Sequence, residues 1–489
     1  MKTRYKVLIV LAIVLGVVVA AGIVALAILS QDEPPPDVAD LEVHRVDVAD
    51  NENGYTYLRE AGKVLWWPGY ESGAARADAG LLDEPPREKD PAETEKGERL
   101  GEIAAGEDWD DALVDEVLSH NGETFALIEK ALACPHFQVP QVLSVDAQIP
   151  EVFDWMYLVK MQSIRAMACA RRMRDKEAFD EALSMVRMGH TIQGAKGSLL
   201  HYLVGNLPKT CGLEVMRQML PATVLGPEQL KGCAEALLAY DTGGETLAET
   251  FRAEFQFCAA VLQDLLDGKM AVEDIGKVSR QQRGGERPSL RELLCRQGWI
   301  AGFVLKPNET RRLLAEDFRA AIENVPRPYA EMQEIKHPWS GKQGVIQRIL
   351  SGNIVGKMLC AILLPAENGA IETKVQTKTE LAATRALLAM KAFKVGKGRL
   401  PKTLDELVPE YLDAVPLDNF DGKPLRYNPE KKVIYSVGKD LKDDGGMTKE
   451  EQKAWWIKEN PWIEEHPEEE EYNEPDMWQM PDPSFPIEF

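Results

Sequence analysis

The chain is short of positive charge, of paired cysteines and of catalytic signatures, and each shortage closes a class of function. Lysine and arginine number 57 against 79 aspartates and glutamates, a net charge of −22. That balance argues against a nucleic-acid partner or adhesion to anionic lipid, both of which need excess cation. Seven cysteines (Cys134, Cys169, Cys211, Cys233, Cys258, Cys295 and Cys360) stand singly, with no C-x-x-C and none after Cys360. This is neither a disulfide framework nor a zinc pattern; buried small hydrophobes are the default, with one or two disulfides as the alternative. There is no glycine-rich phosphate loop, no H-E-x-x-H and no G-x-S-x-G, so the expected protein is not an enzyme.

What the chain does have begins at its N-terminus. Lys2, Arg4 and Lys6 precede an uncharged apolar run from Val7 to Leu29, and the acidic segment QDEPPPD follows. The run meets the ~20 residues that a bilayer span needs and exceeds the ~7–15 apolar residues of a signal peptide, although Ala25 and Ala27 make a passable cleavage site. Residues 1–30 therefore read as a basic end and a single transmembrane anchor. Basic residues before the span and acidic ones after it place the N-terminus in the cytoplasm and the bulk of the chain outside, in the periplasm of a bacterium. Ala12, Gly16 and Ala20 form a small-xxx-small ridge that can join two spans in a homo-oligomer, although small residues are common in spans generally.

Residues 31–48 carry three consecutive prolines and read as an extended spacer. Residues 49–368 read as a helical body, interrupted at 83–108 by a charged, proline-bearing stretch expected to be a linker. Apolar residues at spacings of three and four predict helices over 109–119, 122–133, 152–174, 176–193, 196–219, 227–239, 244–267, 288–304, 308–324, 345–363 and 369–394. Short turns between them suggest an irregular, repeat-like array of helical hairpins, with a compact bundle as the alternative. After Ala392 the composition changes. Thr403 with Glu406, and Thr448 with Glu451, have capping-box spacing, while Leu425–Tyr427 and Val433–Val437 flank NPEKK as a predicted hairpin. The tail 447–489 is acidic from Glu459 on, without lysine or arginine, and reads as an irregular solvated arm pinned by Trp462, Trp478 and Phe485.

The stretch 369–446 runs from a long helix into Pro416, Asp418, Phe420, Gly422, Pro424 and Tyr427, then Ser436, Gly438, Asp440, Asp443 and Asp444. In that order it resembles the globular module of the major pseudopilins of type II secretion systems. Asp421 is inserted before the glycine, and Tyr427 falls two places late. The N-terminus lacks the prepilin-peptidase site, so a pilus subunit is not expected. The resemblance implies a small α+β module and calcium in the last loop. The residues agree on their own terms, because hard cations want several oxygens and Asp440, Asp443 and Asp444 stand close in a glycine-bounded turn. The competing reading is an ordinary Asp-Gly turn facing water.

Other candidates have plain structural alternatives. Cys134 and His136 are two ligands without a second pair. His190 and His201 can meet as acid and base only if the fold brings them together. Asp110, Asp111 and Glu129 suit a solvated helix face better than a glycosidase pair. Arg311 and Arg312 follow Asn308 at a helix start, and Trp66 and Trp67 suit a core. The expected protein is thus mainly α and membrane-anchored, a scaffold engaging other envelope proteins, among them secretion-system components. The alternative is a periplasmic hydrolase using carboxylates of the helical body on cell-wall glycan or peptide.

Overall fold

A computed structural model describes residues 30–82, 84–86, 90–144, 147–241, 245–269, 305–333, 352–364, 366–460 and 476–489, with Leu15–Val17, Ala20 and Gly22. Most of the expected span, the helix expected over 288–304 and Trp462 lie outside the described residues. The protein is mainly helical with one small sheet.

The first layer comprises α1 (Gly54–Val64), α2 (Gly73–Asp78), α3 (Pro91–Ala105), α4 (Asp111–His120) and α5 (Gly122–Ala133). Helix α3 lies inside the stretch expected to be a linker. Its charges and prolines suggested disorder, but Asp90 accepts a bond from Ala92 N at 3.0 Å, Pro91 occupies the first turn and Gly106 closes the end at φ 101°. Asp-Pro is a helix-start signal and left-handed glycine a helix-stop signal. Two apolar residues, Leu100 and Ile103, are then enough to dock it, and both are fully buried.

The body follows as α6 (Glu151–Arg171), α7 (Asp175–Gln193), α8 (Leu199–Met219), α9 (Pro227–Ala236), α10 (Glu245–Asp267), α11 (Pro307–Asn324), α12 (Ile354–Leu363) and α13 (Ala366–Lys397). Helices α7 and α8 form the most extensive pair. Glycine permits the approach: a Cβ on Gly189 would stand 2.4 Å from the Gly205 carbonyl oxygen. Buried Asp154 of α6 ties down the start of α2, accepting from Tyr70 Oη (2.6 Å), Ser72 Oγ (3.0 Å), Gly73 N (2.9 Å) and Ala74 N (2.9 Å).

Helix α13 is the axis. Ala383, Ala386, Leu388, Ala389, Met390 and Ala392 are all fully buried, and polar residues such as Glu380 and Arg385 are buried too, so this stretch of the helix is enclosed on every side. Ile354–Lys397 is also long and apolar enough to cross a membrane by length and composition alone, but here α13 packs on α8 and α9. Arg217 of α8 fixes that crossing. It pairs with Glu380 at 2.6 Å, donates to Thr384 Oγ1 at 2.9 Å, also pairs with Glu214, and lies 5.6 Å from the Phe485 ring.

Beyond α13 the chain forms β1 (Arg426–Asn428) and β2 (Val433–Tyr435), then α14 (Lys449–Glu459), begun by the expected Thr448–Glu451 capping box. The Thr403 side chain makes no such cap; Glu406 accepts instead from Lys402 N at 3.3 Å, ahead of a 3-10 turn over Leu404–Leu407. The end of the tail is not a solvated arm. Ser484–Pro486 forms β3, antiparallel to β2, with Phe485 opposite Ile434 and 2% exposed. Trp478 stacks on Phe420 at 5.7 Å. The acidic average of the tail concealed one short apolar segment, and a three-residue strand forms only because β2 offers it an unpaired edge. Leu404, Leu407, Leu425, Ile434 and Phe485 share one core with α6–α9 and α13, so module and body fold as one unit. Phe485→Ala is expected to cost about 3–5 kcal/mol, measured by urea unfolding. A cost below about 1 kcal/mol would mean that the tail contributes no core.

Candidate functional site

The C-terminal module is built around one buried carboxylate that the motif named without assigning it a role. Asp418, fully buried, accepts from Phe420 N (3.0 Å), Ser436 Oγ (2.8 Å), Val437 N (2.9 Å) and Arg426 Nη1 (2.9 Å). Burial pushes its carboxyl above the usual range. Arg426 extends the network to Asp421 (3.2 Å) and lies 3.8 Å from Asp443.

The three residues expected to hold calcium are exposed and engaged separately. Asp440 accepts from Lys442 N at 3.0 Å, and Asp443 accepts from Tyr435 Oη at 2.9 Å. Asp444 contributes its amide, which donates to Asp482 Oδ2 at 2.9 Å, as does Gly446 N at 2.8 Å. Among the described residues no three histidine, cysteine, aspartate or glutamate side chains are grouped to hold a metal ion. The arrangement does not fit calcium as placed. The loop is closed instead by Asp482, which is fully buried and whose Oδ1 has no hydrogen-bond partner. Burial, with Asp444 and Asp443 nearby, pushes its carboxyl up to about 6. Its only sequence signal was an aspartate two residues before the Ser-Phe-Pro strand.

A second site is a cleft of about 620 Å³ between α1, the approach to α6 and the start of α8. Tyr55 donates to Glu151 Oε1 at 2.8 Å, and burial raises the phenol's pKa. His201, 2% exposed, meets Ser198 Oγ at 3.0 Å through Nδ1, and its Nε2 has no partner. Burial lowers it to about 4, so the imidazole is neutral near pH 7. His190 does not join it: its ring packs on Tyr240 at 5.5 Å, and burial with Lys209 also lowers it to about 4. The carboxylates that burial raises, Glu181, Glu254, Glu380, Asp418 and Asp482, are not among the residues lining this cleft.

The remaining candidates have structural roles. Asp110 caps α4 through Ala112 N at 3.0 Å, Asp111 accepts from Trp109 Nε1 at 2.9 Å, and Glu129 lies 3.4 Å from Arg165. Cys134 Sγ donates to the Lys130 carbonyl at 3.4 Å, and His136 accepts from Gly54 N through its backbone at 2.8 Å. Trp67 is buried and Trp66 stacks on His120 at 4.3 Å. Arg312 grips Glu33 with bonds of 2.6 and 3.1 Å, and Asp32 caps α11 by accepting from Asn308 N (2.9 Å) and Glu309 N (3.1 Å). The spacer 31–48 is thus extended but fastened, with Leu41 buried and Asp40 paired to Arg319.

No protein-family model matches the chain, and neither a curated protein nor a solved structure matches it.

Two measurements check the loop. Because folding raises the Asp482 pKa from 3.8 to about 6, the folded state holds that proton more tightly. Its stabilising contribution is full below about pH 4 and is lost as pH rises through 6. Asp482→Asn keeps an acceptor and removes the charge, so its melting temperature is expected to gain on the native protein between pH 4 and 7. A constant difference would contradict the assignment. Calcium and chelator are expected to give equal melting temperatures. A rise with calcium would show that the carboxylates rearrange around an ion.

Proposed function

We propose that the chain is a non-enzymatic scaffold of the bacterial cell envelope, anchored in the inner membrane by one N-terminal span, with its helical body and pseudopilin-like module on the periplasmic side. The observation that carries this reading is the fastening of Asp32 and Glu33 to the start of α11. These residues follow the apolar run by a few positions, so a body anchored by that run sits against the bilayer instead of swinging on a tether. A rigid mount suits a platform, and an array of paired helices offers extended surface for partners. The module shares the body's core, which suits a fixed docking face and not a subunit that polymerises through a free helix.

The partners of this reading are envelope proteins, including components of a secretion or pilus-type machine. Crosslinking in native cells followed by mass spectrometry is expected to capture such components reproducibly. Recovery of bulk envelope protein alone would count against the scaffold.

A second reading, a hydrolase of cell-wall glycan or peptide, is favoured by the cleft holding Tyr55, Glu151 and His201. It predicts release of soluble fragments from purified wall material, reduced at least about 100-fold in Glu151→Gln, the range set by loss of a general acid or base. Absence of release by the native chain would remove it.

A further inference from the structure

In a chain of net charge −22, one crevice among the described residues gathers three lysines around a single described carboxylate. Where α7, α8 and α13 meet, Lys209 (5% exposed), Lys374 (8%) and Lys378 line a single crevice with Gln193, Tyr240 and Thr377. Among the described residues one carboxylate bears on all three lysines: Asp241 lies 3.1 Å from Lys378 Nζ and acts on Lys209 and Lys374 at longer range. The same carboxylate also serves buried Arg385. The acceptors around the ammonium groups are otherwise neutral, with Lys209 donating to Gln193 Oε1 at 3.2 Å and Lys374 to the Val325 carbonyl.

Loss of protons does not remove the imbalance. Burial brings Lys209 and Lys374 down to about 8, and a group of that pKa is still roughly nine-tenths charged at pH 7. Two buried ammonium ions sharing one anion with a third are costly, because a charge taken from water needs a partner. Each ammonium also has three N–H groups to place. The crevice leaves about 10 Å³ for the centre of a water-sized sphere, room for one small particle and too little for a phosphate or a sugar.

We propose that this crevice binds a small monovalent inorganic anion of chloride size, held among Lys209, Lys374 and Lys378 where the long helix α13 crosses the body. The anion completes the charge balance and pins α13 to α7 and α8.

The test is thermal unfolding of the purified full chain in detergent, in sodium chloride and in sodium gluconate at equal ionic strength and pH 7. Gluconate is too large for the crevice. The melting temperature is expected to rise steadily with chloride, by about 1–2 °C for each tenfold increase above the dissociation constant in a chain of this size, and to stay flat in gluconate. Lys209→Met and Lys374→Met remove buried charge. They are expected to melt higher than the native chain in gluconate and to lose the chloride response. Equal melting in the two salts, or a chloride response that survives both substitutions, overturns the proposal. Should either variant fail to fold, the chlorine-35 line width of the native chain decides. Broadening beyond a protein-free control that added bromide abolishes supports the site, and no such broadening refutes it.

Discussion

The fold depends on one buried ion pair. Arg217 and Glu380, with side chains 12% and 9% exposed, join α8 to α13 at the centre of the molecule. Desolvating two such charges is costly, and their attraction compensates only when the remaining donors are also satisfied. Here they are, through Thr384 and Glu214. Burial still pushes the Glu380 carboxyl up. The guanidinium also lies over the ring of Phe485, so the same residue sets the helical body, the long helix and the last strand in register. The buried alanines and leucines of α13 are satisfied by more than one rotation of the helix; a charge pair is satisfied by one. Removing Arg217 would leave Glu380 buried without its counter-charge, which is the costly case.

That constraint explains why the C-terminal segment is not an appended domain. With α13 locked to α8, its apolar faces are divided between α9 and β2, and the sheet must close against a helix already held by the body. The third strand arrives from the end of the chain, and on the way Asp482 meets the amides of Asp444 and Gly446. A loop that the pseudopilin resemblance would close with a cation is here closed by a carboxylate from the chain's own tail. The converging N–H groups of Asp444 and Gly446 form a local positive field that suits a carboxylate, whereas a cation there would need oxygen ligands turned into the loop.

Much of the helical body was legible because helices of ten residues or more carry several turns of period, and the expected 122–133, 176–193 and 308–324 differ from the observed bounds by a residue or less. The misses have a common cause. Helix α3 docks through two apolar residues and β3 through a segment of three, so neither has enough period to outweigh charged, proline-bearing surroundings. The candidate site was partly legible. Asp418, Phe420 and Ser436 were named by motif, but that Asp418 gathers four donors follows from the hairpin's register. Asp482 stands 38 residues from the amide it accepts from, beyond any local pattern. The lysine crevice is less visible still, since Lys209 and Lys374 are unremarkable positions on two helices until α13 crosses α8.

The polar features therefore share one logic. Arg217 with Glu380, Asp418 with its four donors, and Asp154 with its own four are buried charges whose partners are complete, and each sits where two segments distant in sequence must stop sliding past one another. Apolar packing supplies most of the stability but tolerates a shift of a turn; a satisfied charge does not. Two groups depart from that pattern: Asp482 has one oxygen unpartnered, and in the lysine group three cations share Asp241, whose Oδ1 accepts no hydrogen bond. These are places where composition, pH or a bound ion can still change how firmly the module and the long helix are held to the body.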